Sequence, residues 1–120
     1  MDEKMGVEIT NETGVAVVVF KLASISEVDA ITAASKQIKA FIDENQPNKI
    51  IFDFDGVKFF SSQVLGLLLD IRAKLTPHNG EVVITAINPQ LHRVFKITNL
   101  DKVFRFFPDK ESAFQAINTA

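Results

Sequence analysis

The chain contains no cysteine, no tryptophan and no tyrosine. Without cysteine there is no disulfide framework, zinc knuckle or thiol nucleophile, a composition suited to a reducing compartment. All 11 aromatic residues are phenylalanine, which carries no polar handle. Such rings report a core rather than a platform for sugars or bases. Lysine and arginine nowhere cluster and the net charge is −2, so the chain lacks the basic stripe of a nucleic-acid binder. No segment approaches the ~20 apolar residues that span a bilayer. The acidic opening MDEKMGVEIT lacks the apolar region of a secretory signal. These absences predict a soluble, cytoplasmic protein with neither nucleic acid nor membrane among its partners.

Reactive chemistry is equally sparse. Only five glycines are present, and none has the spacing of a phosphate-binding or dinucleotide loop. Gly14, Gly56 and Gly80 fall in turn sequences, Gly6 lies near the terminus, and Gly66 sits inside a helical run. His78 and His92 are far apart with no converging acids, which fits surface histidines better than metal ligands. No GxSxG elbow surrounds Ser61 or Ser62. Asp53 and Asp55 could be read as paired carboxylates or a phosphate acceptor. Asp53, however, alternates with Phe52 and Phe54, the pattern of an outward polar face entering a turn. The sequence therefore predicts no catalytic residue, no metal site and no cofactor.

What is present is a globular pattern. A chain of 120 residues, 47% hydrophobic and 23% charged, suits a single domain over 1–120 with enough length to bury a core at about 7–117. Val7 and Ile9 alternate with Glu8 and Thr10, NETG makes a turn, and VAVVVFKL is a β-branched run, so the chain opens with a hairpin. Ser26 is the expected N-cap of a first helix, with Asp29 at capping-box spacing. Val28, Ile31, Ala34, Ile38, Phe41 and Ile42 form its inward face, and Asn45 and Pro47 end it.

IIFDF is a third strand. A second helix follows, with Val64, Leu68, Ile71 and Leu75 on one face, Leu65, Leu67 and Leu69 widening it, and Asp70 and Lys74 as a solvent pair. EVVITAI predicts a fourth strand, Asn88 and Pro89 open a third helix carrying Leu91, Val94 and Phe95 inward, and VFRFF suits a short edge strand. Asp109 caps the last helix, with Ala113, Phe114 and Ile117 inward. Strands separated by helices demand parallel crossovers. The expected fold class is α/β: a mixed four- to five-stranded sheet with an N-terminal antiparallel hairpin, β-α-β crossovers and about four helices.

Two stretches carry a resemblance. IIFDFDGVKFFSSQVLGLLL parallels the pattern vvlDlsgvxfiDSSGlgvLl, and GEVVITAINPQLHRVFKITNLDKVFRFFPDKESAF parallels the ending of the same family. From about Val7 to Ile117 the chain resembles a STAS domain, the module of anti-sigma-factor antagonists and of the cytoplasmic tails of sulphate transporters. The resemblance implies a STAS-like fold and a non-catalytic interaction module that binds an anti-sigma factor, itself a serine kinase. In the antagonists that kinase phosphorylates the first serine of DSSG or DSTG. Here the motif reads SSQV and the accepting position is Ser62. Ser61 replaces the acidic residue, Gln63 the second hydroxyl residue and Val64 the glycine, while Ser26 stands where many relatives carry an aspartate.

The resemblance thus implies phosphorylation of Ser62 and a partner surface of Ser26, Phe60, Ser61, Ser62, Gln63 and Gly66. It also allows weak association into a homo-oligomer, and an alternative role as an unphosphorylated scaffold subunit of a signalling or transport assembly. Three physical expectations accompany it. At least one of the two serines caps the second helix, a bond worth ~1 kcal/mol. Phe59 and Phe60 are core residues unless one is an exposed anchor. Gly66 costs its helix ~0.5–1 kcal/mol relative to alanine, and close packing against a strand is the expected reason, ahead of a surface thinned for a partner.

Overall fold

The computed structural model describes residues 7–118. The elements are β1 (Val7–Glu12), β2 (Val15–Phe20), β3 (Ser24–Ile25), α1 (Val28–Asn45), β4 (Lys49–Asp53), β5 (Phe59–Phe60), α2 (Ser62–Leu75), β6 (Glu81–Thr85), α3 (Pro89–Ile97), β7 (Arg105–Phe107) and α4 (Lys110–Asn118). The β1–β2 hairpin closes through Thr13 and Gly14, both in the left-handed region at φ 53° and 85°. That pair of angles suits the tight turn matching the twist of antiparallel strands. The five-stranded sheet has the order β1-β2-β4-β6-β7, antiparallel only at β1–β2.

Both faces of this sheet are covered, which is why its central strands do not alternate with polar residues. Ala16, Val18, Phe20, Ile50, Phe52, Val82 and Ile84 pack in one core with α1, α2 and α3. Val15, Val17, Ile51 and Val83 pack on the opposite side with Ala113 and Ile117 of α4. Asn88 and Asp109 cap as expected: their side chains accept from the amides of Leu91 at 2.9 Å and Ser112 at 2.7 Å. The Ser112 amide and hydroxyl hold the Asp109 carboxyl below its ordinary pKa.

Several expectations are corrected. The N-cap of α1 is Glu27, without a side-chain bond, not Ser26. Ser26 directly follows β3 and is still leaving an extended ladder, one residue too early to cap. Val28 faces solvent at 56% exposure, leaving Ile31, Ala34, Ile38 and Ile42 as the buried stripe. Asp70 and Lys74 do not pair with each other. Instead Lys39 meets Asp70 at 3.7 Å and Lys74 meets Asp43 at 2.9 Å, because α1 lies alongside α2. The strand expected over EVVITAI ends at Thr85, where Ala86 turns to φ 58°. His92 is half-buried rather than a plain surface histidine, its ring 4.4 Å from that of Phe106.

At the strand end remote from the helix starts, Glu81 ties three parallel strands together. Its carboxylate lies 3.5 Å from Lys49 and 2.6 Å from Arg105. Burial alone would raise the Glu81 pKa. The Arg105 hydrogen bond and charge, with Lys49 behind them, bring it below the ordinary carboxylate value.

Candidate functional site

The surface around Ser62 is assembled by the segment that joins β4 to α2. Asp53 ends β4 by accepting the Asp55 amide on its own carboxylate at 3.0 Å. Phe54 to Val57 then form a turn closed by Val57 N–H to Phe54 C=O at 3.0 Å, with Gly56 in the left-handed region at φ 85°. These bonds give Asp53 and Asp55 a role in shaping the turn. The next residues are stitched to the chain before α1. Lys58 and Phe59 both donate to the Ala23 carbonyl, at 2.7 and 3.1 Å, and Ser61 donates to that of Ile25 at 2.9 Å. The result is a second, two-stranded parallel ladder, β3 with β5. The Asn88 side chain caps α3 and also donates to the Val57 carbonyl at 3.1 Å, so the start of α3 is fastened to the same loop. The starts of α1, α2 and α3 therefore share one end of the sheet.

The parallel register carries Ser26 beside Ser61. Ser62 is the first residue of α2, and Ser26, Ser62 and Gln63 are exposed. Ser61 occupies the N-cap position with extended backbone, yet neither it nor Ser62 caps. No side chain bonds to the first amides of α2, and the Ser61 hydroxyl is buried without a hydrogen-bond partner. The expectation of a serine cap is thus corrected: the Ser61 carbonyl, not its hydroxyl, accepts the Val64 amide at 3.0 Å. A helix start left open in this way presents unpaired N–H groups and a partial positive charge. No acidic residue occupies the first turn of α2 to neutralise it.

Phe60, expected on the partner surface, is a core residue at 5% exposure. Its ring stands 5.8 Å from Phe54 and 6.0 Å from Phe95, within a chain of phenylalanines beneath the site. The exposed ring is Phe59, at 52%. Successive side chains of a strand point to opposite faces, so recognising β5 would have assigned one ring to each side. The close-packing account of Gly66 also fails. Gly66 is exposed, and a methyl group built on it would meet nothing within 4 Å. Val64, where the family has glycine, is fully buried, so that change is absorbed by the core, and of the Gln63–Val64 pair only Gln63 alters the surface.

Ser26, Ser61, Ser62 and Gln63 thus converge, with Phe59 added and Phe60 withdrawn. Among the described residues no cluster of three or more His, Asp or Glu side chains could hold a metal ion, and no helix is long and apolar enough to cross a membrane. What the arrangement offers is display: a hydroxyl in water at the start of a 14-residue helix, held on a stitched frame beside exposed apolar groups.

Comparison with known proteins gives a consistent picture. The family model of the STAS domain matches residues 7–113. The anti-sigma F factor antagonist of Paenibacillus polymyxa is 21% identical over 109 residues, covering 91% of this chain and 93% of the relative. The anti-sigma factor antagonist from Mycobacterium paratuberculosis superposes with a TM-score of 0.80 at 26% identity, covering 93% of this chain and 92% of its own. The antagonist SpoIIAA in its unphosphorylated form superposes at 0.83, with 18% identity over 95% of this chain and 97% of that one. Its phosphorylated form superposes at 0.72, with 20% identity over 92% and 98%. At such identities the likeness to SpoIIAA is one of fold.

Proposed function

The chain belongs to the STAS domain family, and we propose that it is an anti-sigma-factor antagonist whose binding to an anti-sigma factor, also a serine kinase, is ended by phosphorylation of Ser62. The observation that carries this reading is the exposed Ser62 at the uncapped start of α2, with Ser26, Gln63 and the Phe59 ring on the same surface. Relatives of this chain are named as antagonists, and one has been solved both without and with its phosphate.

The physical switch is a change of charge at one atom. The free hydroxyl is small and easily desolvated, so a partner can cover it together with the neighbouring apolar groups. A phosphate there brings about −1.5 to −2 charges at pH 7. Burying such a group without a matching cation costs several kcal/mol, enough to release a micromolar partner. The domain itself tolerates the modification, because the helix start favours an anion by ~0.3–1 kcal/mol. Serine at position 61 in place of the family's acid also removes a like charge from the neighbourhood.

The test pairs mass spectrometry with binding. Incubated with ATP and a kinase-type anti-sigma factor that binds it, the protein is expected to gain one phosphoryl group, on Ser62. Ser62→Ala is expected to bind that partner and remain unmodified, and Ser62→Asp to lose binding while melting where the wild type does. A partner bound tightly by wild type and Ser62→Asp alike, with no phosphate gained, overturns the switch. That outcome would establish the scaffold role instead, a reading favoured by the exchange of the second hydroxyl residue for the bulkier, exposed Gln63.

A further inference from the structure

Beyond the helix starts, α1 and α2 continue side by side in the same direction, and an open groove of about 520 Å³ runs between them. Ile31 and Leu67 form its floor, Val28 stands at its mouth, Gly66 lies along the α2 wall, and Lys36 and Lys39 project from α1. From Val28 to Lys39 the groove follows about 16 Å of helix at ~1.5 Å per residue, the length of roughly three turns of another helix.

Three independent features single it out. Gly66 is the residue least suited to a helix interior apart from proline, and nothing within the domain occupies the space its missing side chain leaves. A valine is turned outward at the mouth although the stripe beneath it is buried. The charge is unbalanced: Lys39 shares Asp70 at 3.7 Å, while Lys36 has no anionic partner among the described residues. A glycine wall lets a partner backbone approach closely, an apolar floor takes its side chains, and a lysine ammonium at the rim selects an acid.

We propose that this groove docks an amphipathic helix of a partner protein, one that carries aspartate or glutamate beside its apolar stripe. The groove lies open along its side, which suits a helix laid into it better than an enclosed small molecule. Two lysines shared with one carboxylate are too few to follow a nucleic-acid backbone. The inference does not depend on the modification of Ser62.

A displayed library of randomised peptides of about 14 residues, long enough to fold as helices on binding, tests it when selected against the folded chain. The expected winners carry apolar residues at i, i+3 or i+4, and i+7, with acidic residues alongside. Gly66→Leu fills the wall and Lys36→Glu reverses the rim charge, and each is expected to weaken the winners by at least ~tenfold. Thermal melting guards against misfolding, since neither variant touches the core. A library yielding no binders, basic winners, or winners that bind both variants as tightly as wild type would overturn the proposal.

Discussion

Replacing Gly66 by alanine should make this protein more stable. A glycine inside a helix lowers stability by ~0.5–1 kcal/mol relative to alanine, because the unfolded chain regains more freedom and the helix is no better bonded. That gain is realised only if the new methyl group is free of collisions and the backbone is ordinary. Both conditions hold: nothing lies within 4 Å of the added carbon, and Gly66 is absent from the residues with positive φ. With an unfolding entropy of ~2.1 cal/mol/K per residue, a chain of 120 residues changes by about 0.25 kcal/mol per degree at its midpoint. The melting temperature should therefore rise by about 2–4 °C. Calorimetry and urea titration on the two proteins read this directly, and the urea slope should not change. A fall in stability would mean that something packs against Gly66 in solution. It would remove both the physical account of that residue and the open wall of the groove.

Gly80→Ala provides the opposite case. Its methyl group would stand 2.7 Å from the Leu75 side chain and 2.8 Å from the Asn48 carbonyl, a backbone atom that cannot swing aside. A loss of about 1–3 kcal/mol by urea titration is expected, and a neutral result would contradict the geometry. Ser61→Ala should leave stability unchanged or raise it by up to ~1–3 kcal/mol, since the hydroxyl it removes is buried without a partner. A loss above ~1 kcal/mol would reveal a functioning cap. Stability should also fall as the medium is acidified below the ordinary glutamate pKa of about 4.5, because the folded Glu81 carboxyl titrates lower than the unfolded one. The unfolded chain takes up the proton first in that window, and Glu81→Gln should flatten this part of the urea-midpoint profile.

The order of the large elements is written plainly in the sequence because it is carried by runs long enough for a period to show. Ile31, Ala34, Ile38 and Ile42 repeat at helical spacing, and the two-sided burial of β2 explains its unbroken VAVVVF. The short ladder of β3 and β5 is different. Strands of two residues have no period, and their pairing spans over thirty positions of the chain. Without that ladder the N-cap of α1 reads as Ser26 instead of Glu27, and the partner surface takes Phe60, a core residue, in place of the exposed Phe59.

Ionic pairing between helices is hidden in the sequence for a related reason. Spacing along one helix suggested Asp70 with Lys74, whereas the neighbouring helix supplies each with a partner. At Gly66 the cost of a glycine in a helix is legible in the sequence, but the open space around it is set by the neighbouring elements and is not. The position of Ser62 at the front of α2 was legible, since it needs only the helix start and the motif.

The hydrogen bonds from Lys58, Phe59 and Ser61 to Ala23 and Ile25 have a consequence for how such a surface keeps time. Because the strip before α2 is already pinned in place, no slow rearrangement of this strip has to precede or follow a chemical change on Ser62. On the reading proposed above, in which Ser62 carries a reversible mark, the state of this surface would follow the presence of the mark itself rather than a refolding of the strip beneath it.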